Sequence, residues 1–352
     1  MQRYDHGGDI YRNQGVQLDV SANINPLGMP PAVREAVMNQ MDTFTRYPDY
    51  ACDELREAIA SHHGISTDQV LCGNGAADLI FRICACLKPK LALVTAPTFS
   101  EYERAVLVHG GQVKYHLLLE DALFDVDDTI LDDITREVAL VFLCTPNNPT
   151  GRLIDTDLLA RIAKTCQAQN TVLVVDECFI DFTDGVSIIP LLSACPNLLI
   201  LRAFTKMYAM AGLRLGYLLA SDPALLRRVA AFGATWSVSG PAQAAGLAAL
   251  SCENWVDTTR TLIKQEREML QDALTQLGFY VIPGAANYLL IKSEQPLYQP
   301  MLTRGILVRD CGNYTGLSSQ YIRIGIQTPK INKRLIAALT NMLRDTAHLH
   351  QE

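Results

Sequence analysis

Short apolar, β-branched-rich runs about one strand long are the strongest constraint on this chain: Leu91–Thr95, Val138–Thr145, Thr171–Asp176, Leu198–Phe204 and Leu213–Ala220. A strand with one wet face alternates apolar and polar residues. These runs are close to continuously apolar, so both faces are expected to be covered. Helical stretches such as Asp155–Ala168 lie between them, and strand alternating with helix gives an α/β layer structure around a mainly parallel sheet.

After about Pro241 the pattern changes. Asn254–Leu277 reads as a long amphipathic helix, with Val256, Leu262, Ile263, Leu270, Leu274 and Leu277 on one face. Shorter strands are expected at Ala286–Lys292, Gly305–Arg309 and Tyr321–Ile326, before a last helix from about Asn332 to Arg344. That is an α+β unit. Pro30–Met41 reads as a helix that fits either part. The organisation expected is an N-terminal arm with part of a small domain over residues 1–40 and a large α/β domain over 41–240. An interdomain helix and a small α+β domain follow over 241–352, with no low-complexity linker between the halves, so the two share a cleft.

The 352 residues, 49% of them hydrophobic, suffice for one large core and a smaller one. A net charge of −7 without a basic block argues against a nucleic-acid partner. Met1–His6 carries no apolar leader core, and no apolar run approaches the ~20 residues of a membrane span. None of the ten cysteines forms a Cys-x-x-Cys pair, and several sit in apolar runs, such as Cys84, Cys86 and Cys144. They read as small buried hydrophobes of a cytoplasmic protein, with neither a disulfide framework nor a metal site.

Lys206 stands out next. It is the one lysine between Lys164 and Lys264, and it sits between an apolar strand and the apolar stretch Met207–Leu213. A lone lysine is ordinarily a solvated surface group. In apolar surroundings its ammonium is disfavoured, which leaves a nucleophilic amine suited to imine chemistry. Asp176 closes the run Val172–Val175. Ligands of open α/β sheets bind at such strand ends, where a carboxylate either caps a turn or keeps a pyridine nitrogen protonated. Gly73-Asn74-Gly75-Ala76-Ala77 opens an apolar-periodic segment through Leu87, a place where backbone N–H groups meet a phosphate. Arg214, within Gly212–Gly216, is a second candidate for that phosphate. Thr145–Gly151, with two prolines and two asparagines, reads as a rigid turn whose asparagines face a ring hydroxyl.

In this order, Asn147-Asn148-Pro149-Thr150-Gly151, Asp176-Glu177, Thr205-Lys206 and Gly212-Leu213-Arg214-Leu215-Gly216 resemble the fold type I enzymes dependent on pyridoxal 5′-phosphate (PLP). The branch resembled is that of the histidinol-phosphate aminotransferases, which have the class I/II aminotransferase fold. The resemblance implies that Lys206 carries PLP as a Schiff base and shuttles protons, that Asp176 pairs with the pyridinium nitrogen, and that Asn148 bonds the ring 3-oxygen. It further implies that Phe99 stacks on the ring and that Ala76, Ala77, Thr205 and Arg214 hold the cofactor phosphate. Tyr47, in Arg46-Tyr47-Pro48, resembles a tyrosine that reaches the phosphate in a neighbouring subunit, which implies a homodimer. One departure is that Asp176-Glu177-Cys178-Phe179 stands where many aminotransferases have Asp-x-x-Tyr. The ring oxygen thereby loses a donor.

His6-Gly7-Gly8-Asp9-Ile10 and Ser21–Gly28 narrow the resemblance, together with Asn287-Tyr288-Leu289-Leu290 and Asn313-Tyr314. They are similar to segments of the L-threonine-O-3-phosphate decarboxylases, which make the aminopropanol phosphate linker of cobalamin. This implies that His6, Gly7, Asn23, Asn148, Arg309 and Arg323 bind a phosphorylated amino acid, each arginine taking either its phosphate or its carboxylate. Two competing expectations remain, an aminotransferase acting on histidinol phosphate and a non-catalytic regulatory module of the same fold. The second would need a DNA-binding domain and would be expected to lose Lys206 or Asp176. Threonine phosphate and serine phosphate are both compatible with this reading.

Overall fold

The computed structural model describes residues 6–349, so the expectation about an apolar leader falls partly on residues 1–5, outside them. A seven-stranded sheet forms the larger layer, in the order Val70–Gly73, Gly216–Ala220, Leu198–Ala203, Val172–Asp176, Leu140–Cys144, Leu91–Ala96, Gln112–Leu117. The last five of these run parallel, while Gly216–Ala220 is antiparallel to both of its neighbours. The central strands are buried along their whole length, as their continuous apolarity requires. Helices pack on the sheet, among them Thr156–Gln169, whose first turn is capped by the Asp155 side chain.

The chain runs from Leu91–Ala96 outward to Gln112–Leu117, then returns to Leu140–Cys144 on the opposite side of Leu91–Ala96. That reversal is a topological switch point, and the crevice beyond the strand carboxyl ends there is where an open α/β sheet binds its ligand. The four-stranded sheet, Arg309–Asp310, Tyr321–Gly325, Tyr288–Lys292 and Tyr280–Ile282, is antiparallel throughout. Leu18–Asp19 pairs in parallel with Ile306–Leu307, which ties the N-terminal arm to the C-terminal part of the chain.

Two expectations are corrected, and further strands are found. The strand expected over Gly305–Arg309 is two short ones, Ile306–Leu307 and Arg309–Asp310, which pair with different partners on either side of buried Val308. The strand expected from Leu213 starts at Gly216, because Arg214 has φ +61° and cannot continue an extended ladder. Val70–Gly73 and Gln112–Leu117 are additional strands at the two ends of the large sheet. Gln112–Leu117 is partly exposed and mixed in polarity, unlike the central strands. All ten cysteines are free. Among the described residues no helix is long and apolar enough to cross a membrane, and no group of metal-ligating side chains converges.

Candidate active site

A cavity of about 490 Å³ opens at the switch point. Phe99, Asn148, Asp176 and Lys206 all line it, from the segments that follow four adjacent parallel strands. His6, Gly7, Asn23, Ala76, Ala77, Thr205, Arg214, Arg309 and Arg323 complete the set of expected residues on its wall. Tyr47 is the exception. It is 80% exposed, lies outside this cavity and stacks on Trp236 with ring centroids 4.5 Å apart.

At one end of the cavity the helix Ala76–Leu87 begins, so the free backbone N–H groups of its first turn are available to an anion. Gly75 has φ +82°, and a Cβ there would lie 2.6 Å from the Arg214 guanidinium, which therefore sits directly over the helix start. Gly216 is equally constrained, since a Cβ would meet the Ala76 nitrogen at 2.7 Å. Both glycines allow strand, helix terminus and arginine to crowd into one cationic cradle.

In the middle, Asp176 is buried, and burial pushes its carboxyl above the ordinary range. Three donors oppose that push: the Cys178 thiol, the Tyr102 hydroxyl at 2.6 Å from Oδ2, and the Cys178 backbone N–H at 2.9 Å from Oδ1. A desolvated carboxylate so placed is a strong partner for a ring N–H cation. Lys206 is partly buried in the wall, and burial, followed by the positive charge of Arg323, lowers its pKa from 10.5 to about 8. The anion cradle, the buried carboxylate and the amine with its lowered proton affinity fit what PLP needs: a place for a phosphate, a partner for a ring N–H cation and a nucleophile for an aldehyde.

The far wall is cationic. Arg309 and Arg323 are paired across adjacent antiparallel strands, each 4% exposed. Arg309 donates to Asn313 Oδ1 at 2.9 Å and to the Asp310 carbonyl, and its guanidinium lies 4.9 Å from the Tyr314 ring centre. Arg323 donates to Asn148 Oδ1 and, at 2.9 Å, to the Ser21 carbonyl, above the Tyr288 ring at 5.2 Å. Like charges directly opposed are destabilising, and aromatic faces offset only part of that. Arg323 Nε and Asn23 Nδ2 are buried without a hydrogen-bond partner, as expected of donors meant for an anionic ligand.

Above the cavity, Gly7 packs so closely on Ser21 that a Cβ would lie 2.2 Å from its carbonyl oxygen, and the Gly8 N–H donates to Ser21 Oγ at 2.7 Å. Sequence reasoning assigned no role to Tyr102, Ser21, Glu101 or Arg104, nor to Tyr288 and Tyr314 beneath the two arginines. The signal available for the tyrosines was that a buried hydroxyl needs a partner. Phe179 lines the cavity where the tyrosine is replaced, and its ring packs edge-on against Tyr288 at 5.1 Å.

The family model for aminotransferases of class I and II matches residues 16–339. A threonine-phosphate decarboxylase of Salmonella typhimurium is 41% identical over 97% of this chain and 97% of its own length. A histidinol-phosphate aminotransferase of Geobacillus is 33% identical, covering 96% of this chain and 93% of that one. The crystal structure of L-threonine-O-3-phosphate decarboxylase from Porphyromonas gingivalis superposes with a TM-score of 0.82 at 25% identity, covering 93% of this chain and 99% of that chain.

Proposed function

The chain belongs to the class I and II aminotransferase family, and from that premise we propose that it is a PLP-dependent carboxy-lyase. Its substrate is L-threonine O-3-phosphate, and its products are carbon dioxide and (R)-1-aminopropan-2-ol O-phosphate, the cobalamin linker. The observation that carries this reading is the opposed buried pair Arg309 and Arg323 facing the cavity that holds Lys206 and Asp176. Such a pair suits a substrate with two anionic groups. The 41% identity to the Salmonella decarboxylase supports the same choice.

When bound, PLP supplies a protonated pyridine ring that accepts the electron pair released as a bond at the amino-acid α-carbon breaks. Asp176 would keep that nitrogen protonated, with Tyr102 and the Cys178 N–H holding the carboxylate in place. Ala76, Ala77, Thr205 and Arg214 would take the cofactor phosphate, Asn148 the ring oxygen, and Phe99 would cover one ring face. Lys206 Nζ, with its proton affinity lowered, would hold the cofactor at its aldehyde carbon and, when free, would carry a proton to the α-carbon.

The two arginines decide which bond breaks. The α-carbon carries both a hydrogen and a carboxylate, and the way the substrate's anionic groups are held selects which of these bonds is set to break. Fixing phosphate and carboxylate at separate guanidinium forks orients the α-carbon substituents, which one anchor cannot do. His6, Gly7 and Asn23 are placed to complete the grip. We also assign the protein to the cytoplasm and to a homodimer in which Tyr47 serves the partner subunit's site.

Carbon dioxide release from L-threonine O-3-phosphate, set against glutamate-dependent amino transfer to the keto partner of histidinol phosphate, tests the reading. Serine phosphate belongs in the same panel, because one methyl contact is worth only ~1–3 kcal/mol.

A further inference from the structure

Glu101 and Asp176 are both buried carboxylates on the wall of a cavity that also carries Arg214, Arg309 and Arg323, and Asp176 already has its part in the middle of the site. Glu101 would repel a phosphate unless its charge were already engaged. Both of its oxygens are engaged. Oε1 lies 2.9 Å from His6 Nε2, and Oε2 accepts from Arg104 Nη1 at 3.0 Å. Burial pushes its carboxyl up, but these partners more than offset that and hold it below the ordinary range.

His6 is otherwise a weakly held residue, with a side chain 43% exposed and a ring centre 5.9 Å from that of Phe99. Its neighbours Gly7 and Gly8 are seated on Ser21, whose carbonyl also accepts from Arg323. The segment His6–Gly8 is therefore a strap across the cavity, anchored at Ser21 beside a substrate arginine and at Glu101 on the helix Glu101–Val108. A carboxylate only accepts, so Nε2 carries the hydrogen of the His6–Glu101 bond. Nδ1 is then the ring atom left for a ligand, and it donates to a phosphate oxygen in the imidazolium form, in which both ring nitrogens carry hydrogen.

We propose that Glu101 is a positioning residue that fixes the His6 imidazolium through Nε2–H, so that its Nδ1–H is presented to the substrate's phosphate group and the strap is held across the cavity. The inference rests on the functional reading above and adds to it which residue sets the grip on phosphate. Glu101 acts through His6 and touches neither substrate nor cofactor.

The test is a double-mutant cycle on the holoenzyme with Glu101→Ala, His6→Ala and the pair. Two quantities are read: KM and kcat for threonine phosphate, and the affinity for inorganic phosphate followed by the cofactor's visible absorption. Each single variant is expected to raise KM and weaken phosphate binding about tenfold, the scale of one hydrogen bond to a charged group, with kcat changed less than about twofold. The double variant is expected to be no worse than either single one. Multiplying effects, or an unchanged KM and phosphate affinity in Glu101→Ala, would overturn the proposal. Should Glu101→Ala fail to retain cofactor, Glu101→Gln takes its place: it keeps an acceptor for His6 but loses the charge, and is expected to fall between wild type and His6→Ala. A Glu101→Gln loss larger than that of His6→Ala would count against the proposal. Phosphate affinity is measurable whatever the reaction, so a wild-type enzyme that releases no carbon dioxide would sink the decarboxylase reading and leave this test intact.

Discussion

Arg309 and Arg323 stand opposite each other in register on neighbouring antiparallel strands, both almost wholly buried and each laid on a tyrosine ring. Two like charges in that arrangement weaken the fold unless an anion joins them. Under the proposed function they are where the protein gives up stability for binding.

Replacing either arginine by alanine should therefore lower kcat/KM for threonine phosphate by at least about 100-fold, given what charged hydrogen bonds contribute. It should also raise the share of turnovers that exchange the α-hydrogen, because one anchor no longer fixes the α-carbon substituents. Carbon dioxide release and solvent deuterium incorporation, measured together, check this. Wild-type rates and partition in both variants would remove the arginines from substrate orientation.

Lys206 gives a prediction about stability. Its pKa is about 8 in the folded chain against 10.5 ordinarily. Below pH 8 both states carry the proton, and the folded state bears the burden of a buried ammonium. Between 8 and 10.5 the unfolded chain binds more protons, so stability rises with pH, and above 10.5 the burden is gone. In cofactor-free protein, Lys206→Met should stabilise by on the order of 3 kcal/mol at pH 7, with the gain fading toward pH 10.5. Denaturant unfolding at several pH values measures it; a pH-independent difference would contradict it.

Tyr102 donates to Asp176 Oδ2 at 2.6 Å. Removing that hydroxyl in Tyr102→Phe takes one of three donors from a buried carboxylate, and cofactor affinity should drop about tenfold. A cofactor titration checks this, and unchanged affinity would show that the bond does not tune Asp176.

Tyr47 is exposed and stacked on Trp236, and Met38, Met41 and Tyr50 are further exposed apolar side chains close to it in sequence. A homodimer should bury this surface, and Tyr47→Ala should lose cofactor affinity without altering its own chain's cavity. Sedimentation showing an active monomer at assay concentration would reject the composite site.

The central strands were legible because burial on both faces leaves an unbroken apolar run, as in Leu198–Ala203. Gln112–Leu117 was not, since it lies at the sheet's edge and reads as mixed polarity. The break at Val308 was invisible because the residues on either side are as strand-like as one continuous run would be. It nonetheless places Arg309 opposite Arg323. Lys206, Asp176 and Asn148 were readable as residues of one crevice because each closes or follows a recognisable strand. Tyr102 and Glu101 were not, because their roles arise from contacts with Asp176 and His6, which are 74 and 95 residues away.

The most direct test of the account is the fate of the substrate carboxyl. Holoenzyme given L-threonine O-3-phosphate labelled in its carboxyl group should release labelled carbon dioxide in proportion to aminopropanol phosphate formed, without any keto-acid acceptor. Retention of the label, with amino transfer appearing only when glutamate and a keto partner are supplied, would contradict it.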